Sequence, residues 1–259
     1  MKTIQDAFKN GKAFIAFLTC GDPDLDTTRE LIRTLSDAGA DLIELGIPFS
    51  DPVAEGPVIQ AANVRALSGG VTTDKIFDML DGMRGEVDVP LVFMTYANVV
   101  FSYGTERFLA RAQAAGICGL ILPDVPFEEK EDFAPACVAY GVELVSLIAP
   151  TSHERIGRIA RQAQGFIYCV SSLGVTGEQR DAGTAVGDMV AQLRAVTQLP
   201  CAVGFGISTP QQAVKMAALA DGVIVGSAIV RLVGQYGKAA AGPVYQYVKS
   251  MKDAICTVE

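Results

Sequence analysis

The chain has one histidine, His153, so no site with several imidazole ligands can be assembled from it. Its six cysteines (Cys20, Cys118, Cys137, Cys169, Cys201, Cys256) are scattered through apolar segments and form no Cys-x-x-Cys pair. That argues against a disulfide framework and predicts buried free thiols in a reducing compartment. No Walker loop and no Gly-x-Gly-x-x-Gly fingerprint is present. There is no basic stripe, and the net charge is -8. Neither nucleic acid nor an anionic membrane is therefore an expected partner. The opening Met1-Lys-Thr-Ile-Gln-Asp6 lacks a signal-peptide core, and no apolar run is long enough for a membrane helix. The expectation is a soluble, cytoplasmic protein with no metal site. His153, in Thr151-Ser-His-Glu-Arg155, reads as a surface residue capping a helix start.

Half of the 259 residues are hydrophobic. Eight short apolar segments recur along them: Phe14–Leu18, Leu42–Leu45, Leu91–Met94, Gly119–Leu122, Glu143–Ile148, Phe166–Val170, Cys201–Gly204 and Gly222–Val225. Continuous short runs suit parallel strands buried on both faces. Helical spacing fills the intervals, as with Leu31, Ile32, Leu35 and Ala38 on one face. Further helices are predicted at 3–10, 58–67, 73–83, 108–115, 128–140, 154–164, 188–197, 210–219 and 244–256. Glycines at 39, 116, 141 and 165 mark helix-to-strand junctions. Eight β-α units predict an α/β fold, a TIM (β/α)8 barrel formed as one domain by residues 1–259. A doubly wound sheet is the alternative; eight consecutive units without a break in composition argue against it. The long intervals follow strands 2 and 6, and in a barrel the loops after strands build the active site.

The interval after strand 2 starts with Asp41-Leu-Ile-Glu-Leu-Gly-Ile-Pro-Phe-Ser-Asp-Pro-Val-Ala-Glu-Gly-Pro57. Glu44 falls in an apolar strand; Asp51 and Glu55 fall on the loop leaving it. Carboxyl groups in such different surroundings can divide into acid and base, because burial raises a pKa. A buried Glu44 bonded to a backbone amide, beside a solvated loop, is the competing reading. Gly204-Phe-Gly-Ile-Ser-Thr-Pro210 follows strand 7, with Ser208 or Thr209 placed to cap the next helix; Gly226-Ser227 follows strand 8. Loops at these two places often hold phosphate, and here backbone amides would have to do so without Lys or Arg. Gly174-Val-Thr-Gly-Glu-Gln-Arg180 reads as a lid, with Thr176 or Arg180 reaching inward, or as an ordinary surface loop. No strand carries Lys, which disfavours a strand-borne Schiff base. What remains is carboxylate acid–base chemistry on a phosphorylated small molecule.

The segment Glu44–Pro57, with Tyr96-Ala-Asn98, Leu122-Pro-Asp-Val-Pro126, Gly174-Val-Thr-Gly177, Gly204-Phe-Gly-Ile-Ser208 and Val225-Gly-Ser-Ala-Ile229, resembles the tryptophan synthase alpha chain. The motifs run in order over nearly the whole length; the first is highly specific, the glycine motifs weak singly and strong together. The resemblance implies a barrel that splits indole-3-glycerol phosphate by retro-aldol cleavage into indole and glyceraldehyde 3-phosphate. It implies no cofactor of the chain's own, and an alpha2-beta2 complex with a pyridoxal-phosphate beta chain that receives the indole through a tunnel. Residue by residue, Glu44 matches the general acid/base, and Glu55 stands where the family often has aspartate holding the indole N–H. That longer side chain is a departure from the pattern. Thr176 matches the lid threonine. Tyr96 and Tyr168 match pocket residues, and Phe17 and Phe205 are expected near the substrate. Gly177, Gly204, Gly206, Gly226 and Ser227 match the phosphate cradle. Asp51, Pro52, Asn98 and Asp124 match the partner face.

Two other readings stay open at this point. One is a stand-alone indole-producing lyase. The other is an activating subunit with weak catalysis of its own, should Glu55 misplace its carboxylate.

Overall fold

The computed structural model describes residues 2–170, 182–204 and 206–258. Eight parallel strands close into a barrel in sequence order: β1 (Ala13–Thr19), β2 (Leu42–Gly46), β3 (Leu91–Met94), β4 (Ile117–Ile121), β5 (Glu143–Ile148), β6 (Gln164–Val170), β7 (Cys201–Gly204) and β8 (Gly222–Val225). Each pairs with the next, and β8 returns to β1 with Phe14 opposite Val223. The expected TIM barrel is what forms, and none of its described strands contains Lys. Inward side chains such as Ile15, Leu42, Val92, Val145, Phe166 and Ile224 fill the lumen. Outward ones such as Phe14, Ile43, Phe93 and Val223 pack under the helices. This alternation follows from the two-residue period of a strand. A short 3-10 turn, Ile4–Phe8, brings Ile4 against the strand beginnings. A Cβ at Gly119 or Gly165 would stand 2.8 Å from Ile4 Cδ1, so both positions stay side-chain-free.

The helical layer comprises α1 (Leu25–Asp37), α2 (Pro57–Ser68), α3 (Thr73–Asp81), α4 (Ala97–Tyr103), α5 (Thr105–Ala114), α6 (Ala134–Ala139), α7 (Ile156–Ala160), α8 (Ala182–Arg194), α9 (Pro210–Ala217), α10 (Ser227–Tyr236) and α11 (Ala241–Ile255). Asp24 caps α1 by accepting from Thr27 N at 2.8 Å. Thr209 caps α9 in a capping box with Gln212, with Pro210 at the helix start. Gly39, Gly116 and Gly141 hold positive φ after their helices. Gly165 does too, but inside β6 rather than between elements.

Five expectations change. The helix expected over 3–10 is the 3-10 turn Ile4–Phe8. The helix expected over 128–140 is a 3-10 turn, Phe127–Asp132, followed by the short α6, because Pro135 can occupy only a first turn. The helix expected over 154–164 is the 3-10 turn Pro150–Arg155 and the short α7, and its last residues join β6. The helix α4 was not expected. Cys256 is exposed, while the other five cysteines are buried. His153 lies in the turn 150–155, and its side chain is outside the described residues.

Candidate active site

Glu44 is the third residue of β2, opposite Phe17 on β1 and Val92 on β3. Alternation turns it into the barrel with Leu42 and Gly46. It is fully buried, and neither carboxyl oxygen has a hydrogen-bond partner among the described residues. Burial pushes its pKa from 4.5 up to about 8. At neutral pH the group is therefore mostly the neutral acid. The competing reading of Glu44 bonded to an amide does not hold.

The Phe17 ring lies over Gly46, where a Cβ would sit 2.6 Å from Cζ, and it also flanks Gly226. Tyr168 projects from β6; burial raises its phenol well above its usual range, and the charge of Glu44 adds to that. A Cβ at Gly204 would stand 2.7 Å from the Tyr168 hydroxyl, so Gly204 makes room for that ring.

Glu55 is half-buried on the loop into α2. Its Oε2 accepts from Asn63 Nδ2 at 2.6 Å. Burial raises its pKa; the Asn63 amide and the neighbouring Tyr96 hydroxyl oppose the rise. Tyr96 ends β3's loop, stacks on Phe49 at 5.1 Å, and its hydroxyl accepts from Ala54 N at 3.2 Å. Two carboxyls thus stand in different fields: one neutral and bare, one held by an amide. Helix α2, which carries Asn63, is itself fastened by Arg65, whose Nε and Nη2 donate to the buried Asp22 carboxylate at 2.7 Å each.

At the loops after β7 and β8, Gly206 has φ +72° and Gly226 precedes α10. The first helical bond of α10 runs from Val230 N to Gly226 O at 3.0 Å. The N–H groups of Ser227, Ala228 and Ile229 precede it, an arrangement suited to an anion. Thr176, Gly177, Arg180 and Phe205 lie outside the described residues. No group of three or more His, Cys, Asp or Glu able to hold a metal occurs among the described residues.

On the same end of the barrel Asp51 is exposed and accepts from Ser50 Oγ at 2.5 Å. Pro52 is half-buried, Asn98 on α4 is exposed, and Val53 on the same loop and Phe101 on the same helix are exposed apolar residues. Asp124 is engaged within the chain, where both its oxygens accept from Ala97 N at 3.1 Å and start α4. Asn63 was missed from sequence, as were Met94 and Leu147, which line the mouth with Tyr168. A polar residue on the buried side of α2, and inward alternation on β3 and β5, were the available signals.

The fold and the bare acid at its mouth define a class: barrel enzymes that work by general acid–base catalysis. The family model described as "Tryptophan synthase alpha chain" matches residues 4–256. A tryptophan synthase alpha chain from Lacticaseibacillus casei is 46% identical over 255 residues, covering 98% of this chain and 96% of its own. One from Lactiplantibacillus plantarum is 47% identical over 256 residues, covering 98% and 97%. Among solved structures, tryptophan synthase subunit alpha from Legionella pneumophila is 34% identical with a TM-score of 0.90, covering 100% of both chains. The chain belongs to the tryptophan synthase alpha chain family. That family cleaves indole-3-glycerol phosphate in tryptophan biosynthesis and has a beta-chain partner.

Proposed function

We propose that residues 1–259 act as one barrel domain in which Glu44 is the acid and base of the retro-aldol cleavage and Glu55 holds the indole N–H. The observation that carries this is the buried carboxyl of Glu44, with neither oxygen bonded and a pKa of about 8. Neutral at rest, it can give its proton to indole C3. The resulting carboxylate then takes the proton of the glycerol hydroxyl as the C–C bond breaks. The bond electrons return to the indole ring, the hydroxyl carbon becomes an aldehyde, and Glu44 ends the cycle protonated as it began. Glu55, steadied by Asn63, accepts from the ring N–H and offsets the positive charge that C3 protonation places on the ring. Phe17, Tyr96 and Tyr168, with Phe205, bound the indole. Gly204, Gly206, Gly226 and Ser227, with Gly177, bind the phosphate through amides at the start of α10. Thr176 orders the lid over the bound substrate. This chemistry needs no cofactor of the chain's own.

The finer assembly is an alpha2-beta2 complex in the cytoplasm, with Asp51, Pro52, Asn98 and Asp124 at the interface. The exposed Val53 and Phe101 on that end support it. No helix among the described residues is long and apolar enough to cross a membrane.

The test is indole release from indole-3-glycerol phosphate by the purified chain, with and without a beta chain. Slow release that rises sharply with the partner is expected. Fast release by the chain alone would make it an independent lyase. No release in either case would make it an activating subunit.

A further inference from the structure

Among the described residues Asp22 and Glu44 are the two buried carboxyl residues, and both lie toward the mouth of the barrel. Glu44 is bare, whereas Asp22 is fully engaged by one partner. Its Oδ1 and Oδ2 accept from Arg65 Nε and Nη2 at 2.7 Å each, the two-pronged match of a guanidinium to a carboxylate. Desolvation offsets much of the attraction in such a pair, but its two prongs fix where the partners sit. Asp22 belongs to the loop after β1 and Arg65 to α2. Val71, just past α2, fills the space that a side chain at Gly21 would need, so loop and helix interlock. The same loop also holds α10, because Asp24 pairs at 2.8 Å with Lys238, in the turn that follows that helix. Helices α2 and α10 meet directly as well. A Cβ at Gly234 would stand 3.0 Å from Arg65 Nη2, and Ala62, Val230 and the Phe17 ring form one buried cluster.

Arg65 therefore stands where α2, α10 and the loop after β1 come together. Helix α2 holds Glu55 twice: Asn63 Nδ2 donates to its Oε2 at 2.6 Å, and Gln60 Nε2 donates to its carbonyl at 2.7 Å. The start of α10 offers its free amides at the other end of the substrate. We propose that Arg65 and Asp22 are positioning residues for the cleavage, setting the spacing between Glu55 and the start of α10. They act through Asn63 and Gln60 on α2, and the proposal rests on the roles assigned above to Glu55 and to the amides of α10. A ligand held at both ends depends on that spacing. A ligand held at one end does not.

The test is Arg65→Lys in the full chain, which keeps a cation beside Asp22 but replaces the fork with a single point of attachment. Two ligands are titrated by calorimetry: indole-3-propanol phosphate, which has both the ring and the phosphate, and glycerol 3-phosphate, which has the phosphate alone. Affinity for the first should fall by about tenfold, and kcat/KM with it, since a small misplacement between two grips is costly. Affinity for the second should stay within about threefold. In a Glu55→Gln background the penalty of Arg65→Lys on the two-ended ligand should shrink to within about twofold, because the grip being positioned is already gone. Equal losses for both ligands would make the pair a plain structural brace and overturn the proposal. A full penalty persisting beside Glu55→Gln would do the same, as would a lower melting temperature with unchanged kcat/KM. Wild-type binding and cleavage by Glu55→Gln alone would instead remove the role of Glu55, and this proposal with it. The neutral pair Asp22→Asn with Arg65→Gln leaves no charge buried and should show the same selective loss, so the result can be read even should Arg65→Lys fail to fold.

Discussion

Asp41, just before β2, and Glu44, at the middle of that strand, are three residues apart, and their surroundings are opposite. Asp41 Oδ2 accepts from Phe14 N at 2.6 Å and from the Lys252 ammonium at 2.6 Å. Glu44 is more deeply buried and accepts nothing. The pattern extends around the barrel. At the strand beginnings, Asp221 accepts from Cys201 N at 2.7 Å and pairs with Arg194, and Glu143 accepts from Gln5 Nε2 at 3.1 Å. At the strand ends, the hydroxyls of Thr19 and Thr95 are buried without partners, as Glu44 is. One end of the barrel uses its polar groups to hold itself together. The other leaves Glu44, Thr19 and Thr95 unsatisfied, which costs stability and keeps them free for a ligand.

The comparison can be broken most sharply at Glu44. Glu44→Gln should lower cleavage by about 10³-fold or more, the scale of a lost general acid–base group. Binding of glycerol 3-phosphate, measured by calorimetry, should stay unchanged. Loss of binding or of folding would move Glu44 to the structural side of the comparison. Its titration gives a second reading. In the wild type, kcat/KM should fall as pH rises through about 8, the pKa of the acid in the free chain. Stability should follow the same group. The folded pKa lies above the unfolded one, so the folded state binds the proton more tightly, and stability declines as pH rises from 4.5 to about 8. Glu44→Gln has no such slope. Its melting temperature should exceed that of the wild type at pH 9 and draw closer at pH 5.

At the other end, Asp41→Ala should cost about 3 kcal/mol, the scale of breaking a partly buried pair. Denaturant unfolding would show the loss, while kcat per folded molecule stays the same. A comparable fall in kcat would blur the division between the two ends. Asn63→Ala should lower kcat/KM by about tenfold, since it removes a charged hydrogen bond from Glu55. It should also raise the pKa of Glu55, because Asn63 opposes the upward effect of burial. The acid limb of the pH–rate profile would report this. Smallest of all, Glu55→Asp should keep the rate within about threefold or raise it, a change of one methylene at a half-buried site. Complete loss would mean that the loop has adapted to the longer side chain.

Much of the barrel was legible because its signals are local. The strand runs are short, apolar and evenly recurrent, and Gly39, Gly116 and Gly141 stop helices where they stand in the chain. Glu44 was legible as an anomaly, a charge inside an apolar run. What stayed hidden depends on distant partners. Helix α4 starts where Asp124, from the loop after β4, reaches the Ala97 amide, and nothing near Ala97 announces it. Gly165 looks like a helix stop and is needed because Ile4, from the far end of the chain, presses on it. Asn63 matters only because α2 folds back over Glu55. The break at Pro135 was readable and belongs with the local signals.

The contact between Lys252 and Asp41 also sets an order of events. Lys252, on the last helix, donates to the Lys12 carbonyl and to Asp41, so the first two strands are locked by residues made more than two hundred positions later. Strand β1 likewise waits for β8 as its second neighbour. A chain emerging from the ribosome must hold β1 and β2 with one flank open until the helix carrying Lys252 is released. For this protein the barrel closes only after Lys252 has been made, and the interval before it is when its apolar strands most need shielding.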